Sequence, residues 1–510
     1  MAAIAFVKPA LEVDAIWDSV RTTMYLGIWY LASLLKQLGH EVHYLDETVR
    51  NNGLDKRVLF GRTVSGREIR ETLMTLSPRT LHQEKMADFR SLTPEAFVKK
   101  YSAFQGEGDR VERIMMRIGN AEEATLAMLD EIRPDIVGIP LIATANYLPA
   151  TRLAARIKER LPKTKIVFGG QHVSALPHEF LKRNAFVDHL VIGDAINAFP
   201  GIADNSITDR LIDGGVADLA DFPQLDVGLV ENSGYPVVPT YAHDTDGRRS
   251  VDFMFTRGCY RNCEFCVAGS KRSRVSASAY GDLSQQLAHF KAYGIEELII
   301  EDDAFLWDRA HVESHLSEIF AIMKDHGMFW QNQGGVEFES LTDSVTQKII
   351  DYNSHGIGRC TCLYVPFNPR GWNKRQSAVR SITGSFRHLH NLKRLREAGI
   401  YVCSSAIIGT PDQTPESFAE ELAANRALIE GGFIDAALPL CATMLPGTRW
   451  HDMNGHNIVN KEDYAGYSLF TAHHRTVHFR PHEVEMMMVE WNQRLADVQR
   501  TLPWFSAFAD

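Results

Sequence analysis

Two long stretches of the chain alternate short apolar runs with segments whose apolar residues recur at helical spacing. In the first, a strand-like run at 3–7 precedes Leu26-Gly-Ile-Trp-Tyr-Leu-Ala-Ser-Leu-Leu-Lys-Gln-Leu-Gly39, which is amphipathic and closed by a glycine. Further strands are predicted at 40–45, 136–140, 165–168 and 189–192, with a helix near 148–161. This alternation predicts a doubly wound parallel α/β sheet over residues 1–200. Ligands of such sheets bind beyond the carboxyl ends of the strands, near the switch in strand order. Those ends carry Lys8-Pro9, Pro140–Thr144, Gly169-Gly170 and Gly193-Asp194. A tight turn alone explains a glycine pair after a strand.

Between the strands at 40–45 and 136–140, residues 50–130 are polar and helix-prone, with segments at 66–76, 93–104 and 112–129. An interval this long exceeds ordinary loops and is read as a helical insertion, either capping the mouth of a site or standing solvated beside it. Residues 201–250, rich in Asp, Gly and Pro, form a linker. Alternation resumes over 251–446. Strands are expected near 251–256, 296–301, 328–333, 359–366, 401–407 and 435–441, and helices near 277–292, 309–326, 342–353, 384–398 and 415–430. A small helical region at 447–510 ends in an amphipathic stretch at 483–502. It is rich in histidine (His451, His456, His473, His474, His478, His482), at spacings too irregular for a metal motif.

Composition narrows the class. The chain has 510 residues, 45% hydrophobic and 23% charged, with a net charge of −10. That describes a globular protein of several domains and gives no cationic footprint for nucleic acid. The longest apolar run, about residues 25–35, is shorter than the roughly 20 residues that cross a bilayer. The N-terminus lacks a basic leader and breaks its apolar run at Lys8-Pro9, so it reads as a strand, not a signal peptide. Seven cysteines are too few for a disulfide scaffold. A cytoplasmic protein without membrane insertion is expected.

The chemistry lies in Phe255-Thr-Arg-Gly-Cys-Tyr-Arg-Asn-Cys-Glu-Phe-Cys266, directly after the run at 251–255. Cys259, Cys263 and Cys266 on one tight loop suit three irons of a cubane, whose fourth iron then lacks a protein ligand. Four cysteines ordinarily hold a 4Fe-4S cluster, and an open position marks a catalytic metal site. Zinc motifs pair two short Cys/His clusters, and no second one lies nearby; three buried cysteines clustered by chance is the remaining alternative. Cys360 and Cys362, two apart on a strand, share one face. With Cys403 and Cys441 they are read as core packing, the alternative being a hydrogen-atom donor or second-cluster ligands in a barrel interior.

The cysteine stretch resembles the signature of the radical S-adenosylmethionine (SAM) superfamily, Cys-x3-Cys-x-aromatic-Cys, with Phe265 as the aromatic. Arg257-Gly258 and the basic Lys271-Arg-Ser-Arg274 are similar to its cobalamin-associated branch. The order of the first block, with "LGIWYLASLLKQLGHEV" and "IVFGGQHVSALPHEFL", resembles the Rossmann-like cobalamin-binding domain that precedes many such barrels. The resemblance implies a partial (β/α)6 TIM-type barrel over 251–446 whose chemistry sits at strand carboxyl ends. It implies SAM chelated to the open iron and cleaved to a 5′-deoxyadenosyl radical, the cofactor supplying the difficult chemistry. It assigns SAM contacts to Phe265, Asp302, Asp303, Glu337, Ile408 and Gly409, the acidic pair receiving the SAM ammonium, which needs anionic acceptors. It assigns cobalamin contacts to Pro9, Leu141, Thr144, Gly169, Gly170, Gln171 and Gly193; Trp29 and Tyr30 are read as helix core. The Asp-x-His-x-x-Gly motif with a cobalt-ligating histidine is absent, so no cobalt ligand is named. The fourth strand end, Tyr364-Val-Pro-Phe-Asn368, departs from the branch's Gly-x-Glu-Ser.

The implied activity is methylation of an unactivated carbon, or of phosphorus, in a small molecule, with a flavodoxin- or ferredoxin-type electron donor. The alternative within enzymes is radical cyclisation, dehydration, ring contraction or dehydrogenation, with cobalamin absent or not the methyl donor. A sensor without turnover is the reading from another class, and no DNA-binding or output module is visible for it.

Overall fold

The computed structural model describes residues 1–14, 25–48, 57–62, 68–73, 86–105, 110–119, 122–232, 248–259, 263–267, 276–277, 282–306, 312–332, 334–366 and 386–500. The chain forms two compact units. One comprises Met1–Pro78, Tyr101–Pro236 and Thr443–His473; the other comprises Arg79–Lys100, Val237–Ala442 and His474–Asp510.

In the first unit, β1 (Ala3–Lys8), β3 (Glu41–Asp46), β8 (Ile136–Pro140), β9 (Lys165–Gly169), β10 (His189–Ile192) and β11 (Leu211–Asp213) form a parallel sheet in the order β11-β10-β9-β8-β1-β3. It is flanked by α1 (Leu26–Gln37), α2 (Glu122–Ile132), α3 (Tyr147–Arg160), α4 (Gln171–Ala175), α5 (Pro177–Arg183) and α6 (Ala195–Ala203). β1 is buried without a break from Ile4 to Lys8, as expected of a strand covered on both faces. Ala5, Val7, Val137, Ile139, Ile166, Phe168 and Leu190 pack against Leu126, Leu153 and Ile157 of α2 and α3. Trp29 and Tyr30 are core residues: Trp29 Nε1 donates to the Asp226 carbonyl (2.8 Å), and Tyr30 meets Phe222 edge-on. The strand order reverses at β1, between β3 and β8. β11 carries this sheet beyond the expected boundary at residue 200.

The helical reading of 50–130 is corrected. Within it β4 (Arg57–Arg62), β5 (Glu68–Leu73), β6 (Ser102–Gln105) and β7 (Arg110–Ile118), together with β2 (Leu11–Asp14), form an antiparallel sheet in the order β2-β7-β4-β5, with β6 on β7. The segment at 66–76 thus contains a strand, and the one at 112–129 is a strand to Ile118 and a helix only from Glu122; the helix Pro94–Tyr101 agrees with the prediction. The physical reason is non-local. β7 pairs with β2 (Val13 opposite Met116) and with β4 (Phe60 opposite Met115), and such ladders override local helix propensity.

In the second unit, β12 (Arg249–Phe253), β15 (Ile295–Ile300), β16 (Phe329–Asn332), β17 (Cys360–Tyr364), β18 (Tyr401–Ile408) and β19 (Ala436–Cys441) lie parallel, in that order, as a six-stranded open barrel. The ribbon β13 (Thr256–Arg257) and β14 (Ser276–Ala277) stands beside its first strand. The helices are α7 (Leu283–Ala292), α8 (Val312–Asp325), α9 (Asp343–Ser354), α10 (Phe386–Glu397), α11 (Pro415–Glu430) and α12 (Pro481–Leu495). Thr414 starts α11 with a capping box shared with Ser417. α12 packs on β19, where Trp491 Nε1 donates to the Ala437 carbonyl (2.9 Å). The expected single region at 447–510 is therefore divided: Thr443–His473 belongs to the first unit, and α12 to the second.

Gly193, after β10, has φ +72°, and a Cβ there would lie 2.4 Å from the Gly215 carbonyl oxygen. Gly193→Ala is expected to destabilise the first unit by about 2 kcal/mol or more, read from the midpoint of chemical denaturation.

Candidate functional site

The cysteine loop begins where β12 leaves its sheet. Glu301 N donates to the Phe253 carbonyl (2.9 Å), the last contact of the ladder with β15, and the Phe255 and Thr256 amides that follow need an acceptor other than that strand. Asp302 takes them. Its carboxylate accepts from Phe255 N (2.9 Å), Thr256 N (2.7 Å) and Thr256 Oγ1 (2.6 Å). Asp302 is fully buried, and that burial pushes its carboxyl up to about 7. Exposed Asp303 accepts from Gly258 N (3.1 Å), whose φ is +95°. Cys259 follows directly. Cys259, Cys263, Phe265 and Cys266 are half-buried, and Cys266 N donates to the Cys263 carbonyl (3.1 Å).

All seven cysteines are thiols. Among the described residues no three His, Cys, Asp or Glu side chains close around a single metal ion. A cubane asks for one thiolate per iron, and three half-buried thiols on one anchored loop fit that demand. The expected basic run at 271–274, Tyr260 to Asn262, and residues 367–368 lie outside the described residues.

Cys360, Cys362, Cys403 and Cys441 are buried, and three of the sulfurs lie near a backbone carbonyl: those of Cys362, Leu363 and Ala442 receive Cys360, Cys403 and Cys441 at 4.0, 3.8 and 3.6 Å. Cys362 packs with Cys403, Tyr401 and Ala436. The Cys403 contact and burial hold the Cys362 thiol well above its ordinary range, and burial does the same for Cys360. These are core thiols, as read.

The remaining SAM candidates divide. Half-buried Glu337 stands after β16 and accepts from Ser340 Oγ (3.4 Å). Ile408 is wholly buried. Gly409 has both backbone groups engaged: its N–H donates to Gln413 Oε1 (2.6 Å), and its carbonyl accepts from His474 Nε2 (3.0 Å). A Cβ at Gly409 would lie 2.6 Å from Val484 Cγ1, and φ is +80°, so packing under α12 already requires the glycine. Gln413 and His474 were not anticipated from sequence. A glutamine four residues after a turn glycine and a histidine in an irregular cluster carry no distinctive signal. Of the other C-terminal histidines, His473 is buried, His451 and His482 are half-buried, and His456 and His478 are exposed.

At the carboxyl ends of the first sheet, Leu141 N donates to the Gly169 carbonyl (2.8 Å), and His172 N to the Leu141 carbonyl (3.2 Å). A Cβ on Gly170 (φ +111°) would meet the Leu141 oxygen at 2.6 Å, whereas one on Gly169 would meet nothing nearer than the Val191 oxygen at 3.8 Å. Gln171, Gly193 and apolar Ile142 are exposed around this edge, while Pro9 and Leu141 are buried. Buried Thr144 pairs through Oγ1 with His172 Nδ1 (3.0 Å), and both line a pocket of about 110 Å³ with Tyr147, Arg183, His451 and Tyr464. His172 is thus turned into the protein rather than toward the open edge.

At the switch point, buried Lys8 pairs with Asp46 (3.1 Å) and Thr48 Oγ1 (3.1 Å). Sequence reading placed Lys8 only as a strand end. A lysine closing a run of continuously buried positions is the signal that it needs an internal partner.

Burial lowers His172 and His474 to about 4 each. Between about 6.5 and 4 the unfolded chain binds protons that the folded chain excludes, so stability falls as pH drops through that window. Each histidine would cost up to about 3 kcal/mol of stability once the pH has fallen below about 4, and nothing at neutral pH. A urea midpoint that declines from pH 7 to 4.5, and declines less in His474→Asn, is the expected result.

A profile of the B12-binding domain matches residues 101–203, which contain β8, β9 and β10. An uncharacterized methyltransferase of Pyrococcus horikoshii is 23% identical over 72% of this chain and 81% of its own length. The structure of the radical SAM methyltransferase TsrM from Kitasatospora setae, with cobalamin and a [4Fe-4S] cluster bound, superposes with a TM-score of 0.52, at 15% identity, over 88% of this chain and 77% of that one. TsrM is also known with tryptophan substrate and a SAM analogue bound. The cobalamin-dependent SAM radical enzyme OxsB superposes with a TM-score of 0.55 over 98% of this chain and 61% of that one, at 12% identity. The fold is that of the cobalamin-dependent radical SAM enzymes. Among the described residues no helix is long and apolar enough to cross a membrane.

Proposed function

We propose that this chain is a radical SAM enzyme that uses cobalamin to methylate an unactivated carbon, or phosphorus, of a small molecule. The observation that carries the reading is a three-thiol loop set at the end of the first strand of a six-stranded barrel, in a chain that also holds a B12-binding domain. Cys259, Cys263 and Cys266 would hold a 4Fe-4S cluster, and Gly169, Gly170, Gln171, Gly193, Pro9, Leu141 and Thr144 would form or back the cobalamin edge. When bound, the cluster supplies the electron that cleaves SAM, and cobalamin supplies a transferable methyl group.

The chain's own part is positional. Asp303 presents an exposed carboxylate one residue from the loop anchor, suited to an ammonium. Glu337, Phe265 and the strand end at Ile408 and Gly409 would complete the SAM site, the latter two by shape, since both backbone groups of Gly409 are engaged. Asn332, wholly buried at the end of β16, holds the turn before Glu337 by accepting from Gly335 N (3.0 Å). Half-buried Tyr364 on β17, whose OH meets Ser405 Oγ on β18, would offer a hydroxyl pair to a substrate. The electron would come from a flavodoxin- or ferredoxin-type donor. Supporting the methyl-transfer reading, relatives and structural neighbours are named as methyltransferases; the small-molecule class is supported by the tryptophan bound to TsrM.

The test is anaerobic purification, cluster reconstitution and addition of hydroxocobalamin with SAM carrying a labelled methyl group. Retained corrin that acquires the label supports the proposal. Formation of 5′-deoxyadenosine without corrin retention would replace methylation by a radical rearrangement or dehydrogenation.

A further inference from the structure

We infer that Asp302 is a positioning residue of the cluster loop, clamping the chain as it leaves β12, rather than an acceptor for the SAM ammonium. The inference rests on the proposed cluster at Cys259, Cys263 and Cys266 and deepens it. Once β12 departs from β15, the buried amides of Phe255 and Thr256 no longer meet an acceptor on that strand, and orphaned buried amides are costly. A carboxylate at the end of the neighbouring strand answers both amides and the Thr256 hydroxyl. Charge-assisted contacts of this kind are short and directional.

Three further features agree. Asp302 is completely covered, so its oxygens face the strand that delivers the cysteines and not an open surface. The adjacent Asp303 holds Gly258 N while remaining exposed, so the two carboxylates grip successive points of the same segment. Gly334 also approaches closely, since a Cβ there would come within 2.2 Å of the Asp302 carbonyl oxygen, so the backbone at Asp302 is packed against a position that only glycine fits. The division of labour follows: Asp302 sets where Cys259 begins, and Asp303 is the member of the pair that solvent or a ligand can reach.

The test uses the reconstituted full-length protein and two readouts other than turnover: the rate of iron loss to bathophenanthroline under argon, and the change that SAM produces in the electron paramagnetic resonance spectrum of the reduced cluster. Asp302→Asn keeps the shape but turns an amide donor toward a donor. It is expected to lose iron roughly tenfold faster than the parent, while the remaining cluster still responds to SAM. Thr256→Val deletes one of the three contacts and is expected to fall between the two. Thr256→Ser keeps the hydroxyl and is expected to match the parent, which guards against an Asp302 variant that does not fold. Asp303→Asn is expected to keep its iron and lose the response to SAM. An Asp302→Asn protein that holds iron like the parent but no longer responds to SAM would overturn the inference and restore the ammonium role. Parental behaviour in both readouts, or Thr256→Val behaving like Thr256→Ser, would also overturn it. Parent protein that takes up no iron would instead remove the cluster reading on which the inference stands.

Discussion

Cys263→Ala, purified and reconstituted without air, is expected to lose its 4Fe-4S cluster and to form 5′-deoxyadenosine at background level. On the proposed reading the middle cysteine of the loop would carry one of three protein contacts to the cluster; the residue is half-buried on a segment whose Cys266 amide bonds back to the Cys263 carbonyl. Alanine leaves the backbone contact intact and removes only the thiol, so the loss is one of ligation, not of loop shape. Outer-shell changes at metal sites already cost 10–100-fold in affinity or activity; removal of a ligand should exceed about 100-fold. The measurement is iron and sulfide per chain alongside the nucleoside product. Full iron and sulfide with undiminished cleavage of SAM would end the cluster assignment.

Gly169→Leu should have the next largest effect, on the other cofactor. A Cβ at Gly169 would meet nothing nearer than the Val191 oxygen at 3.8 Å, so a side chain can begin there without a backbone clash, at the carboxyl end of β9. One exposed apolar side chain is well tolerated by folding, but here it fills the edge that a corrin would need. The expected outcome is a folded protein with unchanged iron that no longer retains hydroxocobalamin through gel filtration. Gly170→Ala, next door, is the contrasting case: its Cβ collides with the Leu141 oxygen and its backbone is left-handed, so loss of corrin there would accompany loss of stability. Corrin retained by Gly169→Leu at the parental level would move the cobalamin site away from this edge.

How far the sequence could be read depended on whether the governing interaction was local. The barrel strands and helices lie within a few residues of their predicted positions, because a parallel sheet buried on both faces writes itself as apolar runs between amphipathic helices. The insertion did not, since β7 is held between β2 and β4, both far from it in the chain. At the site, the three cysteines were legible from spacing, and the acidic pair from its place after β15. The division between Asp302 and Asp303 was not, because it depends on which carboxylate faces the departing strand. Gly409 was legible as a constrained glycine for a reason different from the one expected: Val484 of α12 fills the space above it. Lys8 was visible as a strand end, but its partners Asp46 and Thr48 arrive from β3 and the turn after it.

The stretch Thr443–His473 sits late in the chain, yet it completes the unit built by the earliest residues: Tyr464 stacks on Tyr147 with ring centroids 4.0 Å apart, and Arg183 Nη1 donates to its hydroxyl (3.1 Å). During synthesis the first unit therefore waits, with that aromatic face bare, until residues 443–473 have left the ribosome. Contacts of such sequence separation slow folding and expose apolar surface meanwhile. A fragment cut after the barrel would inherit the same bare face permanently, and low temperature, slow expression and co-produced chaperones are the conditions under which the full-length chain should be made.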